Sequence, residues 1–303
     1  MEYYPKTLLE FEKQFASDEA CREYVYQLRW PAGYICPRCG YQKVWTMRRR
    51  HWWCRHCKFQ GSVTAGTIFQ DSRIPLQIWF RAIWHIVSQK QGVSAKGLQR
   101  VLGLKRYEPT WILLHKLRKA MIRPGRDRLI GPVEVDETYI GGPRPGKRGR
   151  GAANKILVLV AVEIKDKRSG RIRLHTIKDA SGESLMPVIK ESIQPGSEVR
   201  TDDWQGYRPL SSSGYKRAII RKSADVGENL LPLANRVVAL LKRWLQGTHQ
   251  GAVRPVHLDD YLGEFVFRFN RRTSGSRGLL FYRLLQQAVN IGPVKAEDIC
   301  HAK

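Results

Sequence analysis

The sequence predicts an α/β fold, a mixed sheet with flanking helices, preceded by a small cysteine-bearing ribbon and a helical region. Three observations predict it. Alternating apolar residues and one continuous apolar run recur between residues 131 and 222, as strands require. Apolar positions three and four apart fill residues 75–121 and return from 232, as helices require. Two Cys-x-x-Cys pairs precede both patterns. The 303 residues suffice for several modest cores, read here as 1–70, 71–125, 131–250 and 251–303.

Charge bounds the partners. Lys and Arg total 53 against 27 Asp and Glu, a formal charge of +26 spread along the whole chain. Such an excess fits a polyanion, because neutralising phosphates releases counterions. No apolar run reaches the ~18 residues of a membrane span, and Met-Glu-Tyr-Tyr-Pro is no signal peptide, so a cytoplasmic protein with no membrane partner is expected.

In chain order, the first element with chemistry is Cys36-Pro-Arg-Cys39 and Cys54-Arg-His-Cys57, with 14 residues between the pairs. Each pair sets two thiolates on one side of a metal, and two pairs complete a tetrahedral structural Zn²⁺ site. Disulfides are the competing reading, disfavoured without a secretory signal. Between the pairs, residues 44–54 read as an aromatic and basic strand pair. Arg48, Arg49 and Arg50 are candidate DNA contacts, whereas Trp52 and Trp53 serve as contacts or as the ribbon's core.

Residues 75–87 read as a helix with one buried face. Ser94 caps a helix over 95–102, Gly103 ends it, and Pro109 opens a helix over 110–121. This is a helix-turn-helix pattern, whose second helix offers Trp111, His115, Lys116, Arg118 and Lys119 as groove readers. Three-helix packings without DNA contacts share the pattern.

Strands are expected at 133–140, 155–164, 171–179, 198–202 and 216–222, with helices over 181–193 and around Asn235. Three strands, helix, strand, short helix, strand, helix is an RNase H-like order. Asp136 and Asp202 fall at strand ends, while Asn235 and Lys242 share one helix face seven positions apart. Two carboxylates could hold a pair of Mg²⁺ ions for phosphoryl transfer, with the Asn235 carbonyl as a weaker third ligand and Lys242 on a phosphate. Glu134, Glu137 and Asp203 are rivals that spacing does not exclude.

The chain resembles bacterial insertion-sequence transposases that join a zinc ribbon to an RNase H-like, DDE-type catalytic domain. The resemblance spans about residues 7–290. It rests on Cys36-Pro-Arg-Cys39, the stretches 65–69 and 133–142, Thr201-Asp202 with Trp204 and Gly206-Tyr207, Leu241-Lys-Arg-Trp, Gly247-Thr-His-Gln250, and 264–272. It implies recognition of terminal inverted repeats in double-stranded DNA, then metal-dependent strand cleavage and transfer into target DNA. It implies Mg²⁺ or Mn²⁺ held by Asp136, Asp202 and Asn235, a nucleoid-associated setting, and a homodimer or larger assembly on paired ends. The third place takes Glu, His or Asn among relatives. Asp203 departs from the usual glycine. Glu264, Arg268 and Arg271, at i, i+4 and i+7, read as a surface ion-pair face, or through the resemblance as active-site neighbours. Lys147, Arg148 and Arg150 sit in a basic loop, read as a DNA clamp or as disorder. The competing function is a degenerate, catalytically inactive copy that only binds DNA. A nuclease without strand transfer fits the long N-terminal region less well.

Overall fold

The computed structural model describes residues 3–46, 51–123, 125–141, 155–221, 229–251 and 253–300. Arg48, Arg49, Arg50, Lys147, Arg148 and Arg150 lie outside the described residues. The chain forms two compact units, Met1–Arg123 with Ser274–Lys303, and Pro124–Thr273.

In the first unit, α1 (Leu8–Gln14) and α2 (Asp18–Arg29) are capped by Thr7 and Ser17, whose hydroxyls accept from the N–H groups of Glu10 and Ala20. A ribbon of three antiparallel strands follows, β1 (Val44–Thr46), β2 (His51–Cys54) and β3 (Gln60–Ser62). Its core is aromatic: Trp52 is buried against Tyr26, Trp30 and Tyr34. Gly61 is needed opposite Trp52, because a Cβ there would lie 2.5 Å from the indole nitrogen.

Three helices continue this unit: α3 (Leu76–Ser88), α4 (Ala95–Leu102) and α5 (Tyr107–Met121). Ser94 caps α4 through the Gly97 N–H, and Gly103 ends it in the left-handed region at φ 64°. The last described helices, α9 (Arg277–Asn290) and α10 (Ala296–Cys300), return to this unit. Phe281 of α9 meets Phe11, Phe15, Phe80 and Trp84. The core of the N-terminal unit is thus closed by a segment nearly 200 residues downstream of α3.

The second unit is built on a five-stranded sheet: β4 (Pro132–Ile140), β5 (Ile156–Lys165), β6 (Arg168–Ile177), β7 (Glu198–Thr201) and β8 (Lys216–Ile219). Their order is β6-β5-β4-β7-β8. The first three strands pair antiparallel, and β7 and β8 join in parallel, which is the RNase H-like arrangement. β5 has a neighbour on each side and seven consecutive buried residues, as its unbroken apolar run requires. The β5–β6 hairpin turns on Asp166 and Lys167, both at positive φ, a turn whose twist suits paired strands.

Each face of the sheet is covered. Val133, Val135, Leu159, Ala161 and Val199 pack with α6 (Gly182–Ser192) and with the 3₁₀ segment Gln205–Ser213. Val158, Val160, Val162 and Leu174 pack with α7 (Pro232–His249) and α8 (Leu258–Asn270). The 251–303 stretch divides between units, α8 with the sheet and α9 with the N-terminal helices.

Candidate active site

Strand pairing fixes which face of the sheet the β4 carboxylates take. Asp136 lies directly opposite Val160 on β5, and Glu134 opposite Val162, so both carboxylates share the sheet face covered by α7 and α8. On the other side of β4, Glu134 pairs with Arg200 in the parallel register. Asp136 follows two residues on within β4, while β7 ends at Thr201 and Asp202 is the next residue after it; the charges of both act on the buried Tyr207 phenol.

Local hydrogen bonds fix both groups. Asp136 Oδ1 accepts from the Glu137 N–H at 2.8 Å. Asp202 Oδ1 accepts from the Trp204 N–H at 3.0 Å, a turn that ends β7. The rival Asp203 is exposed and engaged with the Arg221 guanidinium at 2.9 and 3.0 Å. Glu137 faces the other side of the sheet toward buried Tyr207. Burial, first, and then the charges of Glu137, Asp136 and Asp202 push the Tyr207 phenol well above its ordinary value.

Glu134, the other rival, anchors α7. Its Oε2 accepts from the N–H groups of Leu233 and Ala234, each at 2.8 Å. Those are first-turn donors without helical partners, and Leu231 offers no capping side chain. The sequence signal was there: Leu231-Pro232 starts a helix with no Ser, Thr, Asp or Asn before it, so an acceptor must come from elsewhere. Burial raises the Glu134 carboxyl above its usual value, against the two N–H groups and Arg200, and Asp136 adds to the rise.

The anchor puts Asn235, next in sequence after Ala234, at the end of α7 nearest the carboxylates. Asn235 is exposed, and its Nδ2 donates to Asn229 Oδ1 at 2.6 Å. That leaves its oxygen as the atom suited to a cation. Lys242 is exposed two turns along, about 10 Å nearer the helix C-terminus. Asp136 and the start of α7 therefore share one face of the sheet, and Asp202 follows the end of neighbouring β7. Two carboxylates and an amide oxygen are the hard oxygen donors that a divalent cation such as Mg²⁺ takes.

Glu264, Arg268 and Arg271 lie along α8 and its C-cap. α8 turns Tyr261, Leu262, Phe265, Val266 and Phe269 toward the sheet, and the helical period puts Glu264 and Arg271 roughly opposite them. Glu264 is fully buried and accepts from Arg268 Nε at 2.8 Å, while Arg271 lies over the Phe267 ring. The expected surface face is a buried ion pair at Glu264.

The helix-turn-helix reading also changes. Lys116 and Arg118 are 8% and 1% exposed, because α5 is a central helix packed by α4 and α9. Arg118 Nη1 lies 3.2 Å from His115 Nε2. Lys119 and Trp111 are partly exposed. The exposed cations are instead Lys96 and Arg100 on α4, with Lys105 and Arg106 in the turn.

The four cysteines form the expected cluster, with all four Sγ atoms within 4.8 Å of one another. Cys36–Cys57 and Cys39–Cys54 Sγ atoms are each 3.6 Å apart. A tetrahedron with Zn–S bonds of about 2.3 Å has edges of about 3.8 Å, so the thiols fit a structural zinc. The two knuckles repeat one backbone turn. Gly40 N–H donates to the Cys36 carbonyl and Lys58 N–H to that of Cys54, both at positive φ. Burial opposes ionisation of Cys36, but the N–H groups of Arg38 and Cys39 and the neighbouring thiols outweigh it and hold it at about 6.

Among the described residues no helix is long and apolar enough to cross a membrane. Residues 16–60 match a family model described as a transposase zinc-ribbon domain, and residues 128–270 match one described as an ISXO2-like transposase domain. An uncharacterized protein in transposable element ISH50 of Halobacterium salinarum is 24% identical over 280 residues, 84% of this chain and 92% of that protein. A chain of the simian T-cell lymphotropic virus intasome, solved in complex with PP2A regulatory subunit B56 gamma, is similar at 14% identity and a TM-score of 0.34. That match covers 66% of this chain and 74% of the other. The chain thus joins a transposase zinc-ribbon domain, which holds the cysteine cluster, to an ISXO2-like transposase domain, which holds Asp136 and Asp202.

Proposed function

We propose that the protein binds the terminal inverted repeats of an insertion sequence and catalyses metal-dependent cleavage and strand transfer at those ends. What supports this reading is that Glu134, on the same strand face as Asp136, anchors the start of α7 that carries Asn235, with Asp202 just past the end of neighbouring β7. Carboxylates gathered in a chain of charge +26 are the natural place for cations that must meet a DNA phosphate. Asp136, Asp202 and the Asn235 oxygen would hold them. Mg²⁺ or Mn²⁺ there would supply charge neutralisation at the phosphoryl oxygens and a more acidic attacking hydroxyl.

The chain's own residues do the remaining work. Glu134 fixes α7 against β4, which keeps Asn235 by the strand that carries Asp136. Lys242 offers a cation two turns along for a phosphate of the bound strand. Lys96, Arg100, Lys105 and Arg106 provide an exposed basic surface for the duplex. Paired element ends call for a homodimer or larger assembly during transfer, with target DNA as the second substrate.

Asn235 favours one competing reading, a DNA-binding protein without catalysis, since a neutral amide holds a cation less well than a carboxylate. Strand transfer with a labelled inverted-repeat end separates the two. Wild type should give a Mg²⁺- or Mn²⁺-dependent product that Asp136→Ala abolishes. Absence of product from wild type, with specific end binding intact, would establish the competing reading.

A further inference from the structure

A second feature flanks the aspartates from the other face of the sheet. Tyr139 lies three residues beyond Asp136 on β4, and strand alternation turns it to the α6 side. Trp204 lies two residues beyond Asp202 and is tied to it by its backbone N–H. Both rings line a cavity of about 760 Å³ within the sheet unit, bounded also by Lys155, Lys178, Asp179 and Arg208. The indole N–H of Trp204 donates to the Ala180 carbonyl at 2.7 Å, which fixes the ring plane. Asp179 accepts the Ser181 N–H at 2.9 Å, so the acidic member of the group is engaged with the loop before α6.

We infer that this cavity takes one unpaired nucleotide of a DNA strand engaged at Asp136 and Asp202, its base against Tyr139 and Trp204 and its phosphate against Lys155, Lys178 and Arg208. The inference rests on the DNA-processing reading above. A solvated cationic face explains the three cations alone, but not their convergence with two ring surfaces on one concavity. Aromatic faces with cations nearby are how proteins hold single-stranded nucleic acid, because every base has a π face and every nucleotide a phosphate. The volume is that of a small-ligand site. A stacked base pair does not enter it, so the occupant must be unpaired or turned out of the helix. Such a pocket, reached by the strand as it passes the sheet edge, would hold the strand in register at the end of the element.

The test uses the full-length protein, without added Mg²⁺ or Mn²⁺, on two duplexes of one sequence. One is blunt, and the other carries a three-nucleotide single-stranded extension containing 2-aminopurine. Wild type should bind the extended duplex about tenfold more tightly, the size of one stacked base, and quench the probe. Lys178→Ala with Arg208→Ala, both at exposed positions, should erase the preference while blunt-duplex affinity changes less than about twofold. Tyr139→Leu should remove the quenching. Equal loss on both duplexes, or quenching unchanged in Tyr139→Leu, would overturn the pocket. Asp136→Ala keeps the preference if the pocket exists. Preference retained without any metal-dependent cleavage by wild type would overturn the catalytic reading and leave the pocket standing; cleavage without preference would do the reverse.

Discussion

The Glu134 carboxylate on β4 accepts the Ala234 N–H at 2.8 Å, joining the central strand to the first turn of α7 across 100 residues of chain. A buried acid thus does the work that a local Ser or Asp does at most helix starts, and it ties Asn235 to the strand that carries Asp136.

Glu134→Ala leaves a buried donor at Ala234 and a part-buried one at Leu233 without their acceptor, which should cost about 1–3 kcal/mol in denaturant unfolding. Cleavage should fall more than stability at 25 °C explains, because Asn235 loses its fixed position. Glu134→Gln keeps an acceptor oxygen and should retain most of the fold. An alanine variant as stable as wild type would rule out the anchor.

The same residue makes a pH prediction. Burial raises the Glu134 carboxyl above the ordinary glutamate value in the folded state. Folding then favours the protonated form. That contribution is complete below the unfolded value and is lost as pH rises through the raised, folded one. Glu134→Gln does not ionise, so its stability should gain on wild type as pH rises across that window. Denaturant midpoints measured on both proteins from about pH 4 upward check the direction.

The ribbon should depend on its metal. With Sγ pairs 3.6 Å apart and a core reduced to Trp52 and its aromatic neighbours, the segment has little else to hold it. Cys36→Ser or Cys54→Ser should abolish zinc binding, measured by metal analysis, and open the ribbon to proteolysis. The sheet unit, with its own two-sided core, should stay protected.

The strand order and the cysteine cluster were legible because each rests on a local pattern, whereas Asp136, expected at a strand end, lies in the middle of β4. The apolar run of β5 requires burial on both faces wherever it sits. Cys-x-x-Cys fixes its own turn, although Lys58 takes at the second knuckle the positive φ that Gly40 takes at the first. What was hidden is long-range. Nothing near Lys116 and Arg118 says that α9, more than 150 residues on, packs on α5 and makes it a central helix. Nothing near Glu264 says which flank of α8 meets the sheet. Glu134 and Asp136 share one strand and one face, so spacing left them equivalent until α7 took the first as its cap.

Asn235→Glu would restore a third carboxylate beside Asp136 and Asp202. A charged ligand binds a hard cation more tightly than an amide oxygen, so the Mg²⁺ concentration for half-maximal cleavage should fall about tenfold, with a smaller change under Mn²⁺. The added charge also meets Asp136 and the buried Glu134, and without metal the variant should be less stable than wild type, recovering when Mg²⁺ is added. A cleavage midpoint unchanged by the substitution would mean that Asn235 does not face the cation.

The basic surfaces should separate by burial. Arg118→Ala removes a 1% exposed guanidinium and its packing from α5, and should cost about 2–4 kcal/mol of stability. Lys96→Ala and Arg100→Ala lie on the exposed side of α4 and should leave unfolding unchanged. Their effect belongs in DNA binding: each lost phosphate contact weakens affinity for every sequence alike and lowers the slope of log K against log salt by about one. If the groove-reading role belonged to α5 instead, substitution at partly exposed Trp111 or Lys119 would relax sequence preference, and the α4 pair would leave the salt slope where it was.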